Sequence, residues 1–312
     1  MNRNKLVLVT GGCGFIGRNL IPLLLKQNYS VRVLDNMSVA SSDDIAEYNV
    51  EIIKGDIRNE NIVRQATEGA FAVVHLAAQT NVINSQKVPK DDCEINVLGT
   101  LNLLMAARDF GVKRFIFASS NAPIGENEPP IDENKPARPL SPYGASKLAG
   151  EGYCSAFYGS YGLGTIILRF ANVYGPRSGH KGSVVAKFLK DSSNHGSITI
   201  FGDGKQTRDF IHVRDLCQAI EFSIRSQVSG EVFQIATGIE TSVETLAETL
   251  ASMLPEKPVI NYVPARAGEI VKNYSQITKA KTFLGWEPFI DLRKGLSETT
   301  SWYLSSIDCV VK

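Results

Sequence analysis

The residues that build metal sites and disulfide frameworks are scarce in this sequence. Its five cysteines are scattered, with no C-x-x-C pair, and its four histidines do not cluster. These absences argue against a disulfide scaffold and a zinc site, and they favour reduced thiols in a cytoplasmic protein. We therefore expect no bound metal.

The sequence also has no large excess of charge of one sign and no long hydrophobic run. Lys and Arg number 33 against 32 Asp and Glu, which leaves a formal net charge of +1. This balance predicts no nucleic-acid partner and no association with a membrane surface. No apolar run reaches the length of a membrane span, and Met1–Lys5 leads directly into a predicted strand, so we expect no signal peptide.

The sequence does contain enough apolar material for a large core. Hydrophobic residues make up 43% and charged residues 21% of the 312 positions. That composition predicts a folded protein, and the length predicts one large domain with a second lobe.

A strand, a glycine turn and a helix open the chain. The apolar run KLVLVT precedes GGCGFIG, a helical pattern follows, and the next run, SVRVL, ends at Asp35. The turn has the spacing GxxGxxG, carried by Gly11, Gly14 and Gly17. Glycines allow a backbone to approach a pyrophosphate, and the helix N-terminus offers it free N–H groups. This order is typical of dinucleotide-binding folds.

The acid at position 35 favours NAD over NADP. Asp35 can accept hydrogen bonds from both adenosine ribose hydroxyls, and its charge would repel a 2′-phosphate. No arginine immediately follows it to compensate that charge. We therefore predict NAD as the cofactor.

Strands and helices alternate as far as about residue 172. Further strands are expected at 51–53, 71–78, 113–120 and 164–172. The fold class predicted is α/β, a Rossmann-type doubly wound parallel sheet with a smaller mixed α/β lobe that binds the substrate. The predicted domains are an NAD-binding domain at 1–172, rejoined by 212–240, and a sugar-nucleotide-binding lobe at 173–211 and 241–312.

The stretch SPYGASK combines a helix start with two chemically useful side chains. Ser141 is a suitable N-cap, and Pro142 suits the first helical position. Tyr143 and Lys147 are four residues apart, so on a helix they lie on the same face. An ammonium group close to a phenol lowers the pKa of the phenol. Taken alone, such a pair is more often a coincidence of helix spacing than a catalytic site.

Several motifs in a fixed order carry a family resemblance. They are GGCGFIG, DN at 35–36, GDIR at 55–58, HLAAQ at 75–79, NVLGT at 96–100, SPYGASK, FANVYGPR and TIFGDGKQTRDFIHV. From Lys5 to its final helix, the chain resembles the extended short-chain dehydrogenases/reductases, in the branch of NAD-dependent sugar-nucleotide epimerases and dehydratases. This resemblance changes the interpretation of Tyr143 and Lys147 from a helix-face pair to catalytic residues.

The resemblance implies a catalytic set and a cofactor site. Ser120 matches the catalytic Ser/Thr of the family, Tyr143 its base, and Lys147 the cation that assists the base and contacts the nicotinamide ribose. The implied contacts of NAD are Gly11, Gly14, Phe15, Ile16, Gly17, Asp35, Asn36, Asp56, Ile57, Leu76, Ala77, Ala78, Asn96, Ser119, Tyr143, Lys147 and Ala171.

The resemblance also implies a site for a nucleoside-diphosphate sugar, in particular a UDP-sugar. The implied substrate contacts are Ser120, Asn172, Phe201, Gln206, Arg208, Arg266 and Glu269. Arginines suit a diphosphate because their planar donors engage it through more than one hydrogen bond. Helices at about 91–110 and 143–160 match the dimer surface of the family, so a homodimer is expected by analogy.

Residues 121 and 122 determine which reaction of this branch we predict. The family's dehydratases carry an Asp-Glu pair after the catalytic residue, and decarboxylating relatives carry a Glu. Here Asn121 and Ala122 occupy those positions, and neither can transfer a proton. The prediction is an NAD-dependent 4-epimerase that acts on a UDP-hexose, UDP-N-acetylhexosamine or UDP-uronate through a transient 4-keto sugar. A dehydratase or reductase of the same family and a non-catalytic NAD-binding regulator remain alternatives.

Two positions depart from the family pattern or bear on the sugar. Pro123-Ile124-Gly125 stands where the family usually has Val-Tyr-Gly, so a ring is lost near the sugar. Asn273 falls at a position that controls entry of N-acetylated sugars, and its small side chain could admit a 2-acetamido group.

The remaining polar residues are predicted to be structural or solvated. His75 is expected in the core, and His212 is expected to be structural. His180 and His195 are expected in solvated loops. The acid pairs Asp43-Asp44 and Asp91-Asp92 are expected at solvated helix starts.

Overall fold

The structure of the protein is a computed structural model that describes residues 5–179, 181–265 and 270–308. The strands are β1 (Leu6–Thr10), β2 (Ser30–Asp35), β3 (Glu51–Lys54), β4 (Ala72–His75), β5 (Arg114–Ser120), β6 (Thr165–Phe170), β7 (Asn172–Tyr174), β8 (Ser197–Phe201), β9 (Thr207–Arg208), β10 (Phe210–His212), β11 (Glu231–Ile235), β12 (Thr241–Ser242) and β13 (Val259–Val263). The α-helices are α1 (Phe15–Lys26), α2 (Glu60–Thr67), α3 (Val82–Lys87), α4 (Pro89–Cys93), α5 (Gly99–Asp109), α6 (Pro142–Tyr161), α7 (Val184–His195), α8 (Val213–Arg225), α9 (Val243–Ala251) and α10 (Leu292–Asp308). A 3₁₀ turn covers Ser42–Ile45, and π-helical turns cover Glu94–Leu98 and Ala280–Leu284.

Seven parallel strands form the central sheet, in the order β3-β2-β1-β4-β5-β6-β11. The sheet confirms the predicted α/β class. From β1 the chain adds β2 and β3 on one side and then β4, β5 and β6 on the other, so the order of addition changes between β1 and β4. Ligands of such sheets bind in the crevice at this point, beyond the carboxyl ends of the strands. The pairing of Thr10 with His75 brings the ends of β1 and β4 to the same level.

Helices cover both faces of this sheet, which explains why its strands are apolar on both sides. On one face, Val7 and Val9 of β1 belong to a buried cluster with side chains of α1 and α8. On the other face, Leu8 of the same strand belongs to a cluster with side chains of α5 and α6. The alternation of β1 residues between the two clusters fixes the register of the strand.

A third cluster joins α7, β8, α9 and α10. It includes Val185, Phe188, Ile198, Leu246 and Leu296. Around it, β8 pairs with β13, β7 with β10, and β9 with β12. The pairing of β11 with β6 brings residues 231–235 into the main sheet. The domain boundaries given above remain a prediction.

Two predicted elements have different bounds in the structure. The strand expected at 71–78 is only Ala72–His75, because the N–H of Ala77 donates to the side-chain hydroxyl of Thr10 and not to a backbone carbonyl of a neighbouring strand. The helix expected at about 91–110 is three segments, α4, a π-helical turn and α5. No helix in the described ranges is both long and apolar enough to cross a membrane.

The histidines behave largely as predicted. His75 is buried, and its two ring nitrogens lie 2.8 Å from Thr10 Oγ1 and 3.0 Å from Thr100 Oγ1, as a satisfied core residue requires. His212 is fully buried, in agreement with a structural role. His195 is exposed but ends α7 instead of lying in a loop, and His180 is outside the described residues.

Candidate active site

Polar side chains gather where the strands of the central sheet end. β1 leads into the glycine turn, β5 ends in Ser119 and Ser120, and β6 is followed by Ala171 and Asn172. Because parallel strands end at the same edge of a sheet, residues from distant parts of the sequence meet there.

The glycine turn is a close backbone approach that tolerates no side chain. Gly11 has a φ of +69°, and a Cβ on it would lie 2.7 Å from the backbone nitrogen of Ala77. A Cβ on Gly17 would lie 2.4 Å from the carbonyl oxygen of Gly12, so the first turn of α1 packs directly on the loop. Gly14 occupies the N-cap position of α1 without a side-chain cap, which leaves the first N–H groups of the helix available to a pyrophosphate.

Asp35 is held rigidly at the end of β2. Its two carboxylate oxygens accept hydrogen bonds from the N–H of Cys13 at 3.0 Å and of Met37 at 2.8 Å. Each oxygen has capacity for a further hydrogen bond, as recognition of the two adenosine ribose hydroxyls requires. The glycine turn and this fixed acid fit a dinucleotide.

Next to Asp35, Asp56 is oriented by two neighbours. Its carboxylate accepts hydrogen bonds from Arg58 and from the Asn36 amide at 3.3 Å, and the Arg58 bond lowers the pKa of Asp56 to about 2. Ile57 is buried in the core beneath Gly99. Asn36 and Asp56 are therefore linked, as adjoining parts of one adenosine site require.

Helix α6 begins as its sequence predicts. Ser141 caps it by accepting a hydrogen bond from the N–H of Gly144 at 3.1 Å, and Pro142 is its first residue. Gly162, with a φ of +69°, ends the helix after Tyr161. The capped start fixes the position of the next residue, Tyr143.

The catalytic candidates Ser120, Tyr143 and Lys147 come together at the end of β5. The Ser120 side chain hydrogen-bonds to the Tyr143 hydroxyl, and all three residues line one cavity. The Lys147 ammonium donates to the carbonyl oxygen of Ala118 at 2.9 Å and lies 5.0 Å from the Phe117 ring centre.

Burial opposes ionisation of both groups. It raises the pKa of Tyr143 to about 12, against the Ser120 hydrogen bond, which lowers it. It lowers the pKa of Lys147 to about 8. A positive charge in the adjoining cleft would stabilise the Tyr143 phenolate, because the surrounding dielectric is low.

A buried ion pair that the sequence analysis missed supports this arrangement. Arg169 of β6 donates to both oxygens of Glu151 on α6, at 2.9 and 2.7 Å, and Ser119 donates to the same carboxylate at 2.6 Å. Glu151 and Arg169 are both more than nine-tenths buried. The pair ties β5, β6 and α6 together beside the catalytic candidates.

Asn96 lies behind the catalytic helix and does not line the cavity. It is 1% exposed, and its amide donates to Asp92 Oδ1 at 3.0 Å and to Ser146 Oγ at 3.2 Å. The predicted solvated pair Asp91-Asp92 is therefore only half correct. Asp91 is exposed, but Asp92 is buried because Gln79 and Asn96 both donate to its carboxylate.

One cavity of about 410 Å³ is lined by residues predicted to bind the cofactor and by residues predicted to bind the substrate. From the predicted sets it is lined by Phe15, Ile16, Leu76, Ala78, Ser119, Ser120, Tyr143, Lys147, Ala171, Asn172, Phe201, Gln206 and Arg208. The other described cofactor candidates lie outside this cavity, and they are Gly11, Gly14, Gly17, Asp35, Asn36, Asp56, Ile57, Ala77 and Asn96. Most of this second set lies at the glycine turn and beyond the ends of β2 and β3.

Three residues predicted to bind the substrate, Phe201, Gln206 and Arg208, lie on or next to β8 and β9. Arg208 donates to the carbonyl oxygens of Thr207 at 2.7 Å and Ile270 at 2.8 Å, and the Gln206 amide donates to the carbonyl oxygen of Phe201 at 2.7 Å. The predicted residues Arg266 and Glu269 lie outside the described part of the chain.

Lys181 also lines this cavity and was missed by the sequence analysis. Burial alone lowers its pKa, and no acid among the described residues opposes the shift. The sequence signal that could have identified Lys181 is its position as a basic residue shortly after the YGPR motif.

Asn121 is engaged away from the cavity. Its amide donates to Ser275 Oγ at 3.1 Å and to Asn273 Oδ1 at 3.3 Å. Neither Asn121 nor Asn273 lines the cavity, and Ile124 is buried in the core. The two positions after Ser120 thus hold an amide engaged in hydrogen bonds with other side chains and an alanine, and neither can transfer a proton.

Comparisons with known proteins agree with the site. The family model described as "NAD dependent epimerase/dehydratase family" matches residues 7–236. A putative UDP-glucose 4-epimerase of Methanocaldococcus jannaschii is 39% identical over 302 residues, which cover 95% of this chain and 98% of that protein.

Solved structures of similar proteins extend the likeness to the whole fold. The crystal structure of UDP-glucose 4-epimerase with UDP-glucose from Thermotoga maritima has a TM-score of 0.92 and 35% identity, covering 97% of this chain and 99% of that one. UDP-N-acetylglucosamine 4-epimerase from Methanobrevibacter ruminantium, in complex with UDP-N-acetylmuramic acid, has a TM-score of 0.92 and 32% identity, with the same coverage.

Proposed function

The chain belongs to the NAD-dependent epimerase/dehydratase family, and on this premise we propose that it interconverts the C4 epimers of a UDP-sugar. It is an NAD-dependent enzyme of the extended short-chain dehydrogenase/reductase type. The observation that carries the choice of reaction is the meeting of Ser120, Tyr143 and Lys147 at one cavity without a further acid or base at residues 121 and 122.

Tyr143 is proposed as the group that moves the proton. As a phenolate it accepts the proton of the sugar 4-hydroxyl and returns it when the ketone is reduced, so no net proton is gained or lost. Ser120 orients the same hydroxyl. Lys147 supplies a fixed positive charge that favours the phenolate over the phenol. NAD held by the glycine turn and Asp35 would supply the acceptor for the C4 hydride and the source of its return to the opposite face of the sugar.

The substrate half of the cavity has to hold the nucleotide while the 4-keto sugar turns over. We propose that Arg208, Asn172 and Gln206 hold the nucleotide and that Phe201 lies at its base. All four residues line the cavity that Ser120, Tyr143 and Lys147 also line, which supports this assignment. A diphosphate fixed at one end and a sugar free at the other allow hydride return to either face.

The site argues against elimination of water from the sugar. A 4,6-dehydratase needs further proton donors and acceptors, whereas Asn121 is bonded to Ser275 and Ala122 carries no functional group. The family includes dehydratases as well as epimerases, so residues 121 and 122 bear on the choice between these two reactions. A non-catalytic NAD-binding regulator has no need of the complete Ser120, Tyr143 and Lys147 set.

We also propose that the protein is a cytoplasmic homodimer. Leu98, Tyr153 and Tyr158, on the helical segments predicted to form the dimer surface, are exposed by 50%, 39% and 43%. Exposed apolar side chains on neighbouring helices are typical of an interface between subunits. Sedimentation of the purified protein measures this directly, and a monomer at micromolar concentration would contradict it.

A product assay tests the proposed reaction. The protein is incubated with NAD and, separately, with UDP-glucose, UDP-N-acetylglucosamine and UDP-glucuronate, and C4 epimers are separated by chromatography. We expect one or more of these to epimerise with no change in mass. Tyr143→Phe is the matched control, since it removes the proton acceptor and should lower turnover by on the order of 10³-fold while NAD remains bound. Loss of water or carbon dioxide from the sugar would contradict the proposal.

A further inference from the structure

The buried acid Asp92 has an unusual environment for a residue in a short helix. Asp92 is 1% exposed, whereas its neighbour Asp91 in the same helix is exposed. Its Oδ1 accepts hydrogen bonds from the side-chain amides of Gln79 and Asn96, both at 3.0 Å. Its Oδ2 is also buried and has no hydrogen-bond partner in the described structure. A carboxylate in this position costs free energy, so a structural role alone does not account for it.

A chain of hydrogen bonds joins Asp92 to the catalytic helix. The amide of Asn96 that donates to Asp92 also lies 3.2 Å from Ser146 Oγ, and the Ser146 hydroxyl donates to the carbonyl oxygen of Tyr143 at 3.0 Å. Asn96 lies in the π-helical turn between α4 and α5. Such turns occur frequently at functional sites.

Against burial, which lowers the pKa of Lys147, the negative charge of Asp92 raises it. The other charged or titratable groups that face Lys147 are Glu151, Lys181, the Cys154 thiol and the neutral His75 ring. Glu151 is bonded through both oxygens to Arg169, which offsets its charge. Burial raises the pKa of Tyr143, the Ser120 hydrogen bond lowers it, and the charge of Asp92 raises it.

We propose that Asp92 is a positioning residue for the reaction. Its buried carboxylate holds Asn96 and Gln79 behind α6, and its negative charge balances that of the Lys147 ammonium group next to Tyr143. The proposal rests on the proposed function, in which Lys147 has to be an ammonium ion during turnover.

The sign of the effect follows from electrostatics. A negative charge disfavours loss of a proton from both the Lys147 ammonium and the Tyr143 phenol, and it raises the pKa of each. Turnover needs Tyr143 without its proton and Lys147 with its proton, so the two limbs of the pH profile belong to this coupled pair. Removing the charge should move both limbs to lower pH.

The test compares the holoenzyme, Asp92→Asn and the control Asp91→Asn. The control removes an exposed charge of the same helix. For Asp92→Asn we expect both limbs of the kcat profile to move to lower pH by about one unit, so that activity above neutral pH falls several-fold. For Asp91→Asn we expect no shift. NAD content and thermal unfolding are measured in parallel.

A second readout does not depend on the sugar. Ultraviolet difference absorption titrates the Tyr143 phenolate in the NAD-bound protein, with Tyr143→Phe as the blank. The same downward shift in Asp92→Asn supports the proposal even if the substrate assigned above is wrong. Asp92→Ser, a smaller uncharged side chain, replaces Asp92→Asn if that variant does not fold. Unchanged titration and an unchanged kcat profile in a folded variant overturn the proposal.

Discussion

The ammonium group of Lys147 donates a hydrogen bond of 2.9 Å to the carbonyl oxygen of Ala118. Ala118 lies in β5, two residues before Ser120, and Lys147 lies one turn after Tyr143 in α6. This single bond therefore links the strand that carries the serine to the helix that carries the tyrosine. Because Lys147 is 4% exposed, water competes little for the bond.

Gly11 should be irreplaceable, and Gly69 provides a matched control. Both have a positive φ, of +69° and +74°, but a Cβ on Gly69 would meet nothing within 4 Å, whereas a Cβ on Gly11 would meet Ala77 at 2.7 Å. Gly69→Ala should cost about 1 kcal/mol from backbone strain alone. Gly11→Ala should cost more and should release NAD, as measured by urea unfolding and by cofactor content. Equal costs in the two variants would contradict this account.

Removal of Glu151 should destabilise the protein strongly. Glu151→Gln leaves the buried Arg169 guanidinium without a counter-charge, at a cost of about 3 kcal/mol in the free energy of unfolding. The exposed contacts of Asp109 with Arg64 and Arg108 are the control, and Asp109→Asn should have little measurable effect. Urea denaturation measures both. A small effect of Glu151→Gln would show that Arg169 finds another partner or water.

His75 should contribute to the loss of stability in acid. Burial lowers the pKa of His75 from 6.5 to about 3, so the unfolded chain binds this proton at a pH where the folded protein does not. Stability attributable to His75 is therefore present above the unfolded pKa and is lost as pH falls from 6.5 towards 3.

Between about pH 7 and about pH 5 this loss amounts to about 2 kcal/mol. A His75→Gln variant is less stable overall but should lose less stability over the same interval. The measurement is urea unfolding at both pH values, with His195→Gln, an exposed change, as the control. Equal acid sensitivity of the wild type and His75→Gln would contradict the prediction.

Lys181 should bind an anionic part of the substrate. Burial lowers the pKa of the Lys181 ammonium group, which lines the cavity. An anion bound in the cavity would stabilise the charged form of this group. Lys181→Met should raise KM for the UDP-sugar by on the order of tenfold with little change in kcat. Lys190→Met, an exposed change in the nearby α7, should leave KM unchanged. If the anion is the diphosphate, UDP alone also binds more weakly to Lys181→Met.

The sequence was sufficient for features that depend on local spacing. The glycine turn, the cap at Ser141 and the alternation of apolar runs predicted the nucleotide-binding half and the helix that bears Tyr143. Each depends on residues close together in the chain, whose backbone preferences are set by their neighbours. The fold class, the family and the cofactor were all confirmed.

Features that depend on distant residues were not predicted. Asp92 was interpreted as solvated because its partners, Gln79 and Asn96, approach it only after α4 and the π-helical turn pack against α6. The ion pair between Glu151 and Arg169 was not predicted for the same reason, because the sequence around either residue does not indicate a contact with the other.

The sequence by itself therefore determined the type of fold and the cofactor class, and it predicted the reacting side chains, because all three depend on motifs of neighbouring residues. Only the tertiary structure decided which charges surround Lys147 and Tyr143. Burial and the nearby charges of Asp92, Glu151 and Lys181 shift the pKa values of these two side chains. Both causes depend on contacts between distant parts of the chain, so no single stretch of sequence encodes them.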